Sequence, residues 1–221
     1  MQKLNSATQK LAAVALFGSL STVMTSISTV PFPLIPYLFF NFGEIPVVLA
    51  FFVYGPSVSF SSMLLLWLIE NFVGTFVPIG PLMQLAALSS MLGGFYLGSL
   101  LSDRLKLGNR VFLISALAIG MTFRIAVMSV VNYVVIGILF PSFTNIAAQA
   151  ITLTLGIPVS PTLGGLFVIL AITAVFNVIQ TFLSSIPSYL VALAPPTMTI
   201  TRRWGGPWVV RAGVERQQQT V

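Results

Sequence analysis

Long apolar runs with charges gathered at their ends constrain this chain more than any other feature. Leu11–Val30 follows Lys3 and Lys10 and supplies about the twenty residues that cross a bilayer. Further runs extend from Pro56 to Val77, Leu82 to Leu101, Val111 to Phe140 and Thr162 to Leu193. Only 6% of the 221 residues are charged, against about 25% in soluble domains. The sequence therefore predicts an all-α membrane protein with six transmembrane helices. The second, Glu44–Tyr54, is short, and a proline-rich outer loop follows the first. A basic start before an apolar run also fits a signal peptide, but this run is long, rich in Ser and Thr, and lacks a small-x-small cleavage site. A retained first helix is expected.

The breaks between runs have their own chemistry. Pro31, Pro33 and Pro36 remove backbone donors and push their predecessors out of the helical region. The residues between them, Phe32, Leu34, Ile35, Tyr37, Leu38, Phe39 and Phe40, are too apolar for a solvated loop. This stretch reads as the lid of a binding site. Gly55-Pro56 separates the second and third helices, and Pro78–Pro81 reads as a tight turn. Ser102–Arg110 is a charged link, Pro141–Pro161 an irregular connection, and Pro187 a place for a kink in the last helix. Residues 1–201 are expected to form the membrane domain and 202–221 a basic cytoplasmic tail.

Lysine and arginine placement gives an orientation. With both termini cytoplasmic, Lys3, Lys10, Arg104, Lys106, Arg110, Arg202, Arg203, Arg211 and Arg216 fall on inner segments, and Arg124 alone lies inside a helix. The net charge of +6 thus follows membrane topology and does not call for nucleic acid. A multi-pass protein of the plasma membrane is expected. With no Cys and no His, and only 4 acidic residues, the common zinc, haem, iron–sulfur and triad chemistries have no ligands or bases. No phosphate-binding glycine loop is present, and no metal or enzymatic role is expected.

The polar residues within the runs are the candidate site. Arg124 and Glu70 fall near the same depth of the fifth and third helices, which fits either a structural ion pair or one charge facing a ligand. Asn132 lies a little over two turns from Arg124 on nearly the same face, beside Tyr133, and Asn177 and Gln180 share a face of the last helix. Amides offer donor and acceptor together and aromatic rings offer stacking faces, so a pocket for a neutral heterocycle and simple helix-to-helix glue both fit. On the first helix Ala15, Gly18, Ser19 and Thr22 form a small-residue stripe, suited to packing within the chain or to docking a partner.

Several of these stretches resemble one family, the membrane-embedded S components of energy-coupling factor (ECF) vitamin transporters, riboflavin type. Lys10-Leu11 with Ala15xxxSer19 is similar to the strip that docks on the coupling subunit. Phe40-Asn41-Phe42-Gly43-Glu44-Ile45-Pro46 resembles the loop-to-helix signature, with Asn41 where Asp is usual. Gly55-Pro56, Asn132-Tyr133 and Phe176-Asn177 match further positions, while Ser59 stands for a usual Gly and Gln180 for a usual Lys. The resemblance implies a subunit that binds a vitamin, riboflavin or a related flavin, as substrate with no further cofactor. Phe40, Asn41, Phe42 and the backbone at Gly43 would form the lid, and Arg124, Asn132, Tyr133, Asn177 and Gln180 the site below. It further implies partnership with a coupling transmembrane subunit and two cytoplasmic ATPase subunits. A stand-alone small-solute channel and a ligand-free membrane scaffold are the alternatives.

Overall fold

The structure is a computed structural model that describes residues 7–104, 109–160 and 162–212, the side chains of 103–104, 109–112 and 203 excepted. The inner-face charges expected at Lys3, Lys106 and Arg216, and the tail beyond 212, lie outside the described residues, as do the side chains of Asp103, Arg104, Arg110 and Arg203.

The chain is nearly all helical. In order it forms α1 (Ala7–Ile27), β1 (Thr29–Pro31), β2 (Phe39–Asn41), α2 (Glu44–Tyr54), α3 (Pro56–Val73), α4 (Ile79–Arg104), α5 (Asn109–Asn132), a wider π-helical continuation over Tyr133–Leu139, α6 (Ser142–Leu155), α7 (Leu163–Leu193) and α8 (Pro195–Thr201). Among the described residues, five helices are long and apolar enough to cross a membrane. α2, expected as the short second helix of six, has only 11 residues, roughly half the length a bilayer requires.

Three connections differ from expectation. The lid segment is not shapeless: Thr29 pairs with Asn41, Val30 with Phe40 and Pro31 with Phe39 in an antiparallel hairpin. Pro31 fits because a two-stranded ribbon has free edges that need no donor, and Pro33 and Pro36 lie in the turn between the strands. The supposedly irregular 141–161 connection holds a 14-residue helix. Pro141 precedes its first turn, where a missing N–H costs nothing, and Gly156 ends it at φ 69°. Finally α3 stops at Val73, where the Gly74 amide donates to the Glu70 carbonyl, four residues before the expected end.

Two packing features position the rest. α4 and α5 run against each other at backbone distance: a Cβ on Gly94 would stand 2.5 Å from the Gly120 Cα, and one on Gly98 would stand 2.6 Å from the Ala116 Cα. Ser102 and Ser115 exchange a hydroxyl hydrogen bond at 3.0 Å in the same seam. The second feature is the C-terminal segment. Residues up to 212 pack into the body, with the Trp208 ring 5.2 Å from Phe51, Trp204 5.8 Å from Tyr54, and Val209 buried in the core. The first part of the expected tail thus closes the turn at Gly55, whose φ of 99° and closeness to Trp208 admit only glycine.

A Cβ at Gly120 would lie 2.3 Å from a Phe95 ring carbon. Gly120→Val should therefore destabilise the protein by about 1–3 kcal/mol, measured as unfolding in detergent by a graded denaturant, while Val substitution at Gly93, which faces open space, should cost less.

Candidate functional site

The site is built around Arg124, which is only 2% exposed near the middle of α5. Its Nη1 and Nη2 donate to Glu44 Oε2 and Oε1, each at 2.7 Å, in a two-pronged ion pair. Its Nε donates to Asn177 Oδ1 at 3.1 Å, and Nη1 also reaches Met91 Sδ at 3.5 Å. Asn177 in turn donates from Nδ2 to the Thr173 carbonyl. A single side chain thus ties α2, α4, α5 and α7. Glu44 sits in the first turn of α2, where the helix dipole favours a carboxylate.

This arrangement corrects the expected Glu70–Arg124 pair. The sequence set both residues near one depth, but α3 packs mainly on α1, α2 and α4, whereas α5 packs mainly on α4 and α7. α4 is the neighbour that the two helices share. Glu44 reaches Arg124 because the hairpin returns the chain into the bundle and starts α2 there. Sequence depth fixes level, not adjacency.

Immediately above lies a second polar knot, centred on Asn41. Its backbone N–H donates to Gln180 Oε1 at 3.2 Å, and Gln180 Nε2 donates back to the Asn41 carbonyl at 2.7 Å. The side-chain amide of Gln180 so pairs with the hairpin backbone as a neighbouring strand would. Asn41 Nδ2 donates to Gln84 Oε1 at 3.1 Å, while its Oδ1 accepts from Thr25 Oγ1 and from the Gly43 N–H. Gly43 is fixed by space, since a Cβ there would stand 2.6 Å from the Ser21 carbonyl oxygen and collide with Thr25 Oγ1.

Apolar packing completes the lid. Phe40 stacks on Phe176 with centroids 5.0 Å apart and planes 23° apart, and Phe32 meets both rings at an angle. Tyr37 lies edge-on to Phe143 of α6, and burial pushes its phenol above the usual range, so it stays neutral. A groove of about 410 Å³ on α6, lined by Asn145, Gln149 and Thr152 among others, contains none of the expected site residues.

Of the expected ligand-site residues, Phe40, Asn41, Gly43, Arg124, Asn177 and Gln180 converge on this centre. Phe42 is half-buried beside it, its N–H directed at the Ser28 carbonyl. Asn132 is fully buried but donates to its own helix at the Met128 carbonyl and leaves Oδ1 without a partner. Tyr133 is 40% exposed at the start of the π-helical stretch. No hydrogen bond or ring contact joins Asn132 or Tyr133 to the Arg124 centre among the described residues. Sequence reasoning gave no role to Glu44, Thr25, Gln84 or Met91. Glu44 had a visible signal, an acid placed directly before a helix-initiating Ile-Pro; Thr25 and Gln84 had none.

The small-residue stripe of α1 divides. Gly18 is buried against Leu65 of α3, and Thr22 donates to the Gly18 carbonyl at 3.0 Å. Ala15 and Ser19 remain exposed on the opposite face, flanked by Leu11, Leu16 and Val23.

The sequence matches no protein-family model and no curated protein. In fold, the chain is similar to the S component of a bacterial ECF transporter, with a TM-score of 0.61 and 21% sequence identity over 84% of this chain and 94% of that one.

Arg124→Ala leaves the Glu44 carboxylate buried and unpaired, and should destabilise the protein by about 3–5 kcal/mol. The double variant Arg124→Met/Glu44→Leu should recover much of that loss in the same unfolding assay, because the uncompensated charge is gone.

Proposed function

We propose that this chain is the substrate-capture subunit of an ECF-type importer and that its substrate is riboflavin or a related flavin. The observation that carries the reading is the lid. An apolar hairpin is latched by Gln180 over a buried centre of Arg124, Glu44 and Asn177, within a fold similar to that of an S component. The lid is held by the Asn41–Gln180 bonds and by apolar packing of Phe32 and Ile35 on α6 and α7, and in this reading it opens while the bundle stays folded. Release of the Asn41–Gln180 pair and of the Phe40–Phe176 stack would free an aromatic face together with the Gln180 amide, one turn from Asn177. These groups suit a flat heterocycle whose edge carries donors and acceptors.

In this reading the protein lies in the plasma membrane with both termini in the cytoplasm. It joins a coupling transmembrane subunit and two cytoplasmic ATPase subunits, and they drive release of the vitamin to the inside. The exposed Ala15–Ser19 face of α1 is the docking strip, and Gly18 and Thr22 serve the chain's own packing. Gln180 acts first as a latch on the hairpin, which accounts for an uncharged residue at that position.

Purified protein should quench riboflavin fluorescence saturably. Asn177→Leu should weaken that binding by about tenfold or more, whereas Ser19→Leu should leave it intact and reduce co-purification of the coupling subunit. Absence of quenching by the wild type overturns the flavin reading, and the reverse pattern in the two variants means that pocket and dock are interchanged.

A further inference from the structure

The C-terminal segment, 195–212, has no part in the lid or in the centre beneath it, yet it is firmly built. α8 leads into a short helical turn over Arg202–Trp204, stopped by two glycines in the left-handed region, Gly205 at φ 86° and Gly206 at φ 95°. Gly205 N–H donates to the Arg202 carbonyl and Gly206 N–H to the Thr201 carbonyl, the paired bonds of a Schellman stop. The chain then folds back onto the bundle, with Trp208 against Phe51 and Val209 in the core. The arginines of this segment are therefore carried on a fixed frame.

Their charges have no partner. Arg202 is exposed and Arg211 half-buried, and neither side chain makes a hydrogen bond or ion pair among the described residues. Acids are scarce at this end of the chain's crossings: nine of the ten basic residues fall on the inner segments, against Asp103 and Glu215 alone. Lys10, also exposed, lies one to two turns before Phe17, which meets Tyr54 beside Trp204. Next to the arginines stand apolar side chains. Met198 and Ile200 of α8 are exposed, and Trp204 and Trp208 are half-buried. Exposed hydrocarbon, then indole rings, then uncompensated guanidinium groups is the order of chemistry met on leaving a bilayer core for its headgroups.

We infer that Arg202 and Arg211 form a contact surface for anionic phospholipid headgroups at the end of the bundle opposite the hairpin. A guanidinium presents forked donors that match phosphate oxygens, and the neighbouring Met198 and Ile200 match the acyl chains below. Those flanking hydrocarbon groups favour a lipid over an acidic protein surface. The contact has a mechanical consequence. Trp208 of the same segment closes the turn at Gly55, and Trp204 meets Tyr54. Anionic lipid held here clamps the α2–α3 turn, and through Tyr54 and Phe17 it also steadies the start of α1.

This surface does not depend on the flavin reading, and lipid selectivity tests it directly. Full-length protein carrying Trp67→Phe is reconstituted in phosphatidylcholine bilayers, which leaves Trp204 and Trp208 as reporters. The indole N–H removed with Trp67 has no hydrogen-bond partner. Tryptophan quenching is then titrated with brominated phosphatidylglycerol or with brominated phosphatidylcholine. The anionic lipid should be preferred about tenfold or more, and the preference should fall about threefold to fivefold for each of Arg202→Gln and Arg211→Gln. Arg202→Lys/Arg211→Lys, which keeps both charges, should retain most of it, and added salt should weaken it. Thermal midpoints of the variants report folding, and Arg202, being exposed, is free of packing effects. Equal quenching by the two lipids in the parent, or a preference that survives Arg202→Gln/Arg211→Gln, overturns the lipid surface. Equal quenching joined to weaker capture of the coupling subunit by the double Gln variant overturns it in favour of an acidic protein surface.

Discussion

The two-pronged pair between Arg124 and Glu44 is the interaction on which the rest of the molecule depends. Placing an isolated charge at such a depth costs about 2.5–3.5 kcal/mol on insertion scales. Two charges meeting through two 2.7 Å hydrogen bonds remove most of that penalty together, and neither can move without restoring it. The pair fixes where α2 begins. Because α2 begins there, the hairpin before it must turn down over the bundle, and the short helix after it must end at Gly55. The hydroxyls of Ser59 and Ser188, which donate to the Val47 and Ile45 carbonyls at 2.8 Å, hold the same helix against α3 and α7.

The polar residues then arrange themselves in two tiers. The lower tier, Arg124 with Glu44, Asn177 and Met91, is structural in character, since the guanidinium spends four contacts on these three side chains. The upper tier, Asn41 with Gln180, Gln84 and Thr25, is made of neutral hydrogen bonds that all pass through the hairpin residue Asn41. Gly43 connects the tiers, at the single point where the chain passes between α1 and the start of α2 with no space for a side chain. The two tiers thus use different kinds of bond, an ion pair below and neutral amide and hydroxyl hydrogen bonds above.

Close packing supplies the frame. In a lipid setting apolar burial gives little drive for helix association, so backbone approach and interhelical hydrogen bonds carry more of it. The α4–α5 seam, with Gly94 on Gly120 and Gly98 on Ala116, is the clearest case. At the far end from the hairpin, Trp204 and Trp208 brace Tyr54 and Phe51. Tyr54 also contacts Phe17 of α1, so the C-terminal segment supports the helix whose outer face stays free.

The sequence by itself determined the membrane-spanning helices, the shortness of α2 and the apolar cover before it, because these follow from run length, proline chemistry and the cost of charge in lipid. It also marked Arg124, Asn177 and Gln180 as polar residues in need of partners. Only the tertiary structure decided who those partners are. Periodicity places a side chain at a depth and on a face, but adjacency depends on which helices are neighbours, and Arg124 pairs with Glu44 of α2, not with Glu70 of α3. Thr25, Gln84 and Glu44 acquired their roles the same way, through contacts between residues far apart in the chain. The helix α6 and the packed C-terminal segment were hidden for a related reason: prolines and basic residues advertise breaks and tails, whereas burial against Phe32, Ile35 or Phe51 is a property of the assembled bundle alone.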